Sequence, residues 1–226
     1  MSRKRRAAVS VNKVMTKLNS ILVVIPSRNR PQALTECLTA LIETGGGKGS
    51  LMDFMVLSGE LSPEDGVVSL FNSVPMQTLE RYDVVGMFGD DVRFRTYAWD
   101  ALVVRCLTAR PGLLYGRDGC QDELLATQAF VSTQLVLAVG HVYSPCFKSL
   151  FADKALMELA AAAGCLQYEP ELFTEHMHWS LGKSLKDDQS CKHEKWHDRD
   201  QAAMAEWQRE DLPRETELVK KALGLK

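Results

Sequence analysis

The first part of the chain alternates between short runs of apolar residues and apolar residues at helical spacing. Residues 21–26 form a continuous, mostly β-branched run, which predicts a buried strand of a parallel sheet. Pro31 suits the first turn of a helix, and apolar residues recur at helical spacing after it until a run of glycines. Residues 54–57 and 82–88 predict two more strands, with a weaker helix over residues 63–71 between them. This alternation predicts an α/β fold, in which an open twisted sheet is flanked by helices.

The second half of the chain has a mixed pattern rather than a regular alternation. The predicted elements are helices over residues 99–107 and 151–163, a further helix that ends at Gly140, and strands over residues 113–116, 126–131 and 166–173. The helix over residues 151–163 is the clearest of these, because it is rich in Ala and Leu and is stopped by Gly164. From residue 186 onward, charged sequence with isolated apolar residues predicts helices packed on the outside of the same domain.

Lysine and arginine are concentrated at the N-terminus. The 226 residues include 27 Lys and Arg against 29 Asp and Glu, a formal charge of −2. Residues 1–20 hold six of the cations and no acid, which leaves 21 cations and 29 acids, a charge of −8, on the rest. We therefore expect a flexible basic arm over residues 1–20, a main α/β domain over residues 21–185 and a helical extension over residues 186–226. The acidic body differs from the basic surface that nucleic-acid binding usually needs.

Membrane, export and disulfide signals are weak in this sequence. The longest apolar runs fall well below the ~20 residues of a membrane-spanning helix, and the basic N-terminus lacks a convincing secretory segment. The six cysteines are widely spaced and include no CxxC pair, so we expect buried free thiols rather than a disulfide scaffold or a zinc ribbon. The sequence therefore predicts a cytoplasmic protein with no membrane partner.

Two adjacent carboxylates follow the third predicted strand, in the segment Gly89-Asp90-Asp91. Neighbouring carboxylates repel each other unless a cation or a donor-rich ligand neutralises them. In an open α/β sheet, ligands bind at the carboxyl ends of the strands, which is where this pair falls. The segment predicts a divalent-metal site, and the alternative is a solvated turn.

Two histidines follow the last predicted strand. His176 and His178 are separated by one residue, so alternation places both on the same side of a strand, and imidazole is a common ligand of Mn²⁺ and Zn²⁺. The alternative is a surface pair. Gly182 and Lys183 come shortly afterwards and suit the approach of a phosphate. The chain has neither a Walker A loop nor a GxGxxG motif, which counts against an ATPase or a Rossmann dehydrogenase.

Other metal or nucleophile candidates are weaker. Cys191, His193 and His197 lie among charged residues, which favours a solvated helix face over a zinc site. Cys120 has no histidine near it in the sequence and is interpreted as structural.

These segments together resemble the small GT-A-fold glycosyltransferases, in particular the family-2-like enzymes common in bacteriophage genomes. The resemblance covers residues 20 to about 190. It rests on residues 21–31, Gly89-Asp90-Asp91 with Trp99-Asp100, Tyr115-Gly116-x-Asp118, Asp153, and Glu175-His176-x-His178 with Gly182-Lys183.

The resemblance implies a metal-dependent transfer of a sugar from a nucleoside-diphosphate sugar, with a UDP-sugar the leading donor. It implies that Asp91 binds the Mn²⁺ or Mg²⁺ that bridges the diphosphate, with His176 or His178 as the second ligand and His178 slightly favoured. Asp90 would face the ribose or the water shell of the metal. The remaining donor contacts implied are Pro26, Ser27, Arg28 and Arg30 along the nucleotide pocket and Lys183 on the diphosphate.

Asp153 falls where family members keep the general base that acts on the acceptor hydroxyl. The alternative for Asp153 is a helix N-terminal cap. Two positions depart from the family pattern. Ser58-Gly59-Glu60 stands where relatives often have Asp residues that read the base, and Lys148 and Ser149 stand where many have a His.

The acceptor is open at this stage. A hydroxymethylated pyrimidine in phage DNA is slightly favoured, because the basic arm could hold phosphates, and the protein would then act in the host cytoplasm. A hydroxyl on a virion protein or glycan is the alternative. A non-enzymatic nucleic-acid-binding accessory protein is the alternative from another class, and the charge of −8 on the body argues against it. A nucleotidyltransferase would carry a glycine-rich loop after its first strand, which residues 27–31 lack.

Overall fold

A computed structural model describes residues 20–46, 51–58, 66–185 and 195–226. Residues 1–19 of the predicted basic arm, together with Gly59, Glu60, Cys191 and His193, lie outside the described residues. The strands are β1 (Ser20–Pro26), β2 (Leu51–Leu57), β3 (Val84–Met87), β4 (Val92–Phe94), β5 (Leu113–Arg117), β6 (Ala129–Ser132) and β7 (Leu166–His176). The α-helices are α1 (Pro31–Thr44), α2 (Val67–Asn72), α3 (Met76–Leu79), α4 (Trp99–Ala109), α5 (Thr133–Val139), α6 (Ala152–Ala162) and α7 (His197–Leu223).

In the described part of the chain, seven strands form one mixed sheet in the order β2-β1-β3-β6-β5-β7-β4. β1 pairs in parallel with both β2 and β3, as the early alternation of strands and helices predicts. β6 then runs antiparallel to both β3 and β5, and β4 pairs antiparallel with β7. The regularly alternating first part of the sequence therefore supplies the parallel strands β2, β1 and β3. The less regular second part supplies most of the remaining sheet, where β5 is parallel to β7 and the other pairs are antiparallel.

Strand β1, which lies between β2 and β3, is buried on both faces of the sheet. Its residues from Ile21 to Ile25 are at most 1% exposed, because helices cover the sheet on either side. Successive side chains point to opposite faces, so Leu22 and Val24 join one hydrophobic core and Val23 joins the other. This explains why the strand reads as a continuous apolar run instead of an alternating one.

The predicted helix boundaries are close to the observed ones. Pro31 occupies the first turn of α1, and Gly140 ends α5 in the left-handed conformation, with φ 83°. The helix predicted over residues 151–163 is α6. Strand β4 is absent from the sequence-based prediction, because it has only three residues and its central Arg93 is buried, where it donates to Glu36 and to the carbonyl of Asp90.

The C-terminal helix packs on the outside of the domain and also contributes residues to the core. α7 packs against α5 and α6, and its Trp207 is 1% exposed in the core, with its ring near Phe147. The long charged sequence obscures this contribution, since only one face of the helix is apolar. Among the residues described, no helix combines the length and the apolar character needed to cross a membrane.

Candidate active site

A cavity of about 270 Å³ opens at the carboxyl ends of β1 and β3, where the topology of an open α/β sheet places ligands. Eight of the ten residues singled out from the sequence line it: Pro26, Ser27, Arg28, Arg30, Asp90, Asp91, Asp153 and His176. His178 and Lys183 are not among its lining residues. The fold therefore brings together segments that are up to 150 residues apart in the chain.

Asp90 connects the ends of two neighbouring strands. Ser27, just after β1, donates its hydroxyl to Asp90 Oδ2 at 2.7 Å, and Arg30 Nη1 donates to Oδ1 at 3.0 Å. Burial raises the pKa of Asp90, against the lowering effect of Ser27 and Arg30. Because both of its carboxylate oxygens already accept hydrogen bonds and the residue is 3% exposed, Asp90 holds the two strand ends together.

Asp91 instead faces His176. The Nε2 atom of His176 lies 3.6 Å from Asp91 Oδ2, longer than a hydrogen bond, and Arg30 Nη1 lies 3.8 Å from the same oxygen. Burial alone would raise the pKa of Asp91, but His176 and Arg30 outweigh burial and lower it. A Cβ atom at Gly89 would come within 2.5 Å of Asp91 Oδ1, so a larger residue there would require the Asp91 carboxylate to shift.

The backbone around His176 is held on both sides. The amide of His176 donates to the carbonyl of Asp118, and the amide of Met177 donates to the carbonyl of Asp91, both at 2.8 Å. The Nδ1 atom of His176 lies 3.9 Å from Asp118 Oδ2. Burial would lower the pKa of His176, but Asp118 and Asp91 raise it to about 9.

His178 lies beside His176 but makes different contacts. The two rings are 5.0 Å apart in an edge-on arrangement, and His178 Nδ1 lies 2.7 Å from Ser180 Oγ. Burial and the charge of His176 lower the pKa of His178. Of the two histidines, the structure brings His176 to Asp91, whereas the sequence slightly favoured His178.

Lys183 is engaged in an ion pair outside the cavity. Its Nζ atom donates to Glu175 Oε1 at 2.9 Å, and Arg95 Nε donates to the other carboxylate oxygen at 2.9 Å. These two cations lower the pKa of Glu175 despite its partial burial. Glu175, the first residue of the Glu-His-x-His segment, therefore holds the side chain of Lys183.

Asp153 lines the same cavity from the first turn of α6. Burial raises the pKa of its carboxyl above the usual value. The N-terminal cap position of α6 is Phe151, so Asp153 does not cap the helix, and the only side-chain bond described for it is from the amide of Lys154. A carboxylate that lines a cavity and has a raised pKa is suited to accept a proton near neutral pH.

Several cavity residues were not identified from the sequence. They are Thr127, Gln128, Tyr143 and the α2 residues Val67, Val68, Leu70 and Phe71. The apolar members have no local pattern that separates them from ordinary core residues, since Phe71 and Tyr143 also pack against each other edge to face. Asp118 belongs to the segments that carry the family resemblance, but the sequence attaches no role to it.

A metal ion would have few protein ligands here. In the described ranges, no group of three or more His, Cys, Asp or Glu side chains is arranged to hold a metal ion. Asp91 and His176 present one carboxylate and one imidazole at the cavity wall, a pair that suits Mn²⁺ when substrate oxygens and water supply the other ligands.

No protein-family model and no curated protein match the chain. Solved structures with similar folds do. The catalytic domain of Drosophila β1,4-galactosyltransferase 7 in complex with xylobiose has a TM-score of 0.52 at 15% identity, covering 79% of this chain and 81% of that one. A mutant of the same Drosophila enzyme, in complex with manganese, UDP-Gal and xylobiose, has a TM-score of 0.52 at 14% identity, covering 75% and 76%.

A third similar structure is S. aureus TarS 1–349 in complex with UDP-GlcNAc. It has a TM-score of 0.56 at 12% identity and covers 90% of this chain and 71% of that one. Similarity at such low identity establishes the fold. The mixed sheet, its flanking helices and these neighbours show that the chain has the fold of the GT-A glycosyltransferases.

Proposed function

We propose that the chain is a glycosyltransferase that moves a sugar from a nucleoside-diphosphate sugar to a hydroxyl group with the help of a divalent cation. The observation that carries the proposal is the content of one cavity. The Asp91 and His176 pair and the carboxyl of Asp153 line the same cavity. The first group suits the cation and diphosphate, and the second suits the acceptor.

Asp91 and His176 would hold the metal, with His178 next to them as a further candidate ligand. Asp90 is less suited, because Ser27 and Arg30 occupy both of its oxygens. When bound, Mn²⁺ or Mg²⁺ would neutralise the negative charge that develops on the diphosphate as it leaves. Of the similar structures, one contains manganese and UDP-Gal and another contains UDP-GlcNAc, which supports a UDP-sugar as donor.

Cationic side chains would supplement the metal on the diphosphate. Arg28 and Arg30 line the cavity beside the end of β1, together with Pro26 and Ser27. Lys183 would have to exchange its partner Glu175 for a phosphate oxygen to contribute. We therefore assign the nucleotide pocket first to the segment from Pro26 to Arg30.

Asp153 would remove the proton from the acceptor hydroxyl. The acceptor oxygen then forms a bond to the anomeric carbon as the bond from that carbon to the diphosphate breaks, and the proton remains on Asp153. Burial raises the pKa of this carboxyl, which makes it a stronger base than an exposed aspartate.

For the acceptor, we propose a hydroxymethylated pyrimidine in DNA. The six cations of residues 1–20 could hold phosphates, whereas the acidic remainder of the chain handles metal and sugar. A hydroxyl on an uncharged protein surface or glycan would not use these cations. A non-enzymatic nucleic-acid-binding protein would have no use for the cavity and the carboxyl of Asp153 that lines it.

The direct test is release of the nucleoside diphosphate from a panel of UDP- and GDP-sugars, with and without Mn²⁺. We expect Mn²⁺-dependent release by the wild-type chain. Asp91→Asn should lose most of the activity and the Mn²⁺ response with its fold intact, since an amide of nearly equal size replaces one carboxylate oxygen.

Asp53→Asn is the matched control for this test, because Asp53 is exposed on β2, where it accepts a bond from Tyr82. It should behave as wild type. Absence of release with every donor, together with no binding of Mn²⁺ in the presence of UDP, would contradict the proposed function. An Asp91→Asn variant with full turnover would remove Asp91 from the site.

A further inference from the structure

Asp118 is a buried carboxylate held in place by many donors. It lies just after β5 and is 2% exposed. Its Oδ1 atom accepts from the amides of Cys120, Gln121 and Asp122 at 2.7 to 2.9 Å. Its Oδ2 atom accepts from the hydroxyl of Thr127 at 2.7 Å. A carboxylate with this many fixed donors is ionised and has little freedom to move.

The open side of this carboxylate is directed at His176. Asp118 Oδ2 lies 3.9 Å from His176 Nδ1, and that nitrogen is buried without a hydrogen-bond partner among the described residues. The other ring nitrogen, Nε2, lies 3.6 Å from Asp91 Oδ2 on the cavity wall. The imidazole of His176 thus lies between a carboxylate inside the protein and a carboxylate at the cavity.

This arrangement matches how proteins orient a histidine that binds a metal through one nitrogen. Such a histidine usually directs its other N–H to a carboxylate or carbonyl, which fixes the ring and selects the nitrogen left for the metal. The backbone reinforces the alignment, because the amide of His176 donates to the carbonyl of Asp118. His178 has no such carboxylate among the described residues and instead lies against Ser180.

On the basis of the proposed function, we propose that Asp118 is a positioning residue for the metal site: it holds His176 so that Nε2, and not Nδ1, is presented to the cation beside Asp91. This role selects His176 over His178 as the metal ligand. It also assigns a purpose to the loop over residues 118–122, whose amides hold the Asp118 carboxylate.

The test is Mn²⁺ binding by the full-length protein in the presence of UDP, measured by calorimetry and by pulsed electron paramagnetic resonance. The wild-type protein should show the coupling of a directly bound imidazole nitrogen. Asp118→Asn should weaken Mn²⁺ binding by about 10- to 100-fold and diminish that nitrogen coupling. A role limited to stability would lower the unfolding temperature but leave the nitrogen coupling unchanged in the folded protein.

Asp122→Asn is the matched control in the same loop. Its carboxylate accepts from the amides of Asp118 and Gly119, so it supports the loop without approaching His176. It should bind Mn²⁺ as wild type does. If Asp118→Asn fails to fold, Thr127→Val serves as the second variant, because it removes one donor to Asp118 and should shift affinity and nitrogen coupling in the same direction.

If folded Asp118→Asn keeps the wild-type nitrogen coupling and Mn²⁺ affinity, the positioning role is overturned and the proposed function stays intact. If Asp118→Asn does not fold, the same result in Thr127→Val has the same consequence. An equal loss in Asp122→Asn would also overturn it, by showing that only loop stability matters. A wild-type protein that binds no Mn²⁺ with UDP present would overturn both this inference and the metal of the proposed function.

Discussion

At the scale of single residues, adjacent and chemically identical side chains have different environments. Asp90 accepts bonds from Ser27 and Arg30, and Asp91 faces His176 at the cavity. Burial therefore raises the pKa of Asp90, whereas the surrounding cations lower that of Asp91. One carboxylate supports the strand ends, and the next is available to a cation.

The role proposed for Asp153 leads to a prediction for turnover. Asp153→Asn should lower kcat by roughly 10²- to 10⁴-fold, the usual contribution of a general base, and leave Mn²⁺ and UDP binding unchanged. Glu158→Gln on the same helix is the control, since Glu158 contacts Lys154 and Gln208 instead of the cavity. Steady-state kinetics with calorimetric titrations would check this, and a variant with near-normal kcat would argue against the base.

The same residue predicts the acid limb of the pH profile. Asp153 acts as a base only when ionised, and burial raises its pKa above the usual value for an aspartate. The kcat should therefore fall on acidification through that raised pKa, at a higher pH than for an exposed aspartate. A profile of kcat against pH would measure the position of this limb, and an acid limb at the ordinary pKa of an aspartate would contradict the assignment.

At the scale of elements, the C-terminal helix supports the wall of the cavity. Asp200, in the first turn of α7, is fully buried and accepts from the amides of Lys148, Ser149 and Leu150. Ser149 lines the cavity, and the same segment leads directly into α6 and Asp153. A helix outside the motifs identified in the sequence thus fixes the loop that leads into Asp153.

We predict that Asp200→Asn destabilises the protein by about 1–3 kcal/mol, because buried amides lose part of a charged acceptor. It should also lower turnover, with Mn²⁺ affinity near wild type, since Asp91 and His176 lie on other elements. Thermal unfolding and kinetics would measure both effects. Asp198→Asn, at a fully exposed position in the same turn, is the control and should change neither.

At the scale of the whole molecule, charge is divided between the N-terminal arm and the acidic remainder. Among the described residues, β1 begins at Ser20, which donates through its backbone amide and hydroxyl to Asp83. Deletion of residues 1–19 therefore leaves every described residue of β1 in place.

If DNA is the acceptor, deletion of residues 1–19 should raise the KM for DNA and reduce its dependence on salt. On duplex DNA, the logarithm of the binding constant falls with the logarithm of the salt concentration, and each phosphate contact removed reduces that slope by about 0.9. The deletion takes away up to six cations. The kcat should barely change, because an arm that only tethers DNA would bind ground and transition states equally. Hydrolysis of the nucleotide sugar is the internal control, and unchanged transfer to DNA would favour a protein or glycan acceptor.

Local sequence was sufficient to predict most of the strands and several of the helices. β1, β3, α1 and α6 follow from apolar periodicity and from proline and glycine signals, which act within a few residues. β4 could not be predicted in this way, since its three residues are stabilised by pairing with β7, about eighty residues later.

The amino-acid sequence alone identifies the segments that form the candidate site: residues 26–30, Gly89 to Asp91, Asp153, and the segment of His176 and His178. Their separate roles follow only from the folded chain. The contact of Asp90 with Ser27, the approach of His176 to Asp91, and the position of Asp118 behind that histidine all join residues distant in the sequence. Such contacts depend on packing and on local electrostatics, and neither leaves a periodic pattern in the sequence.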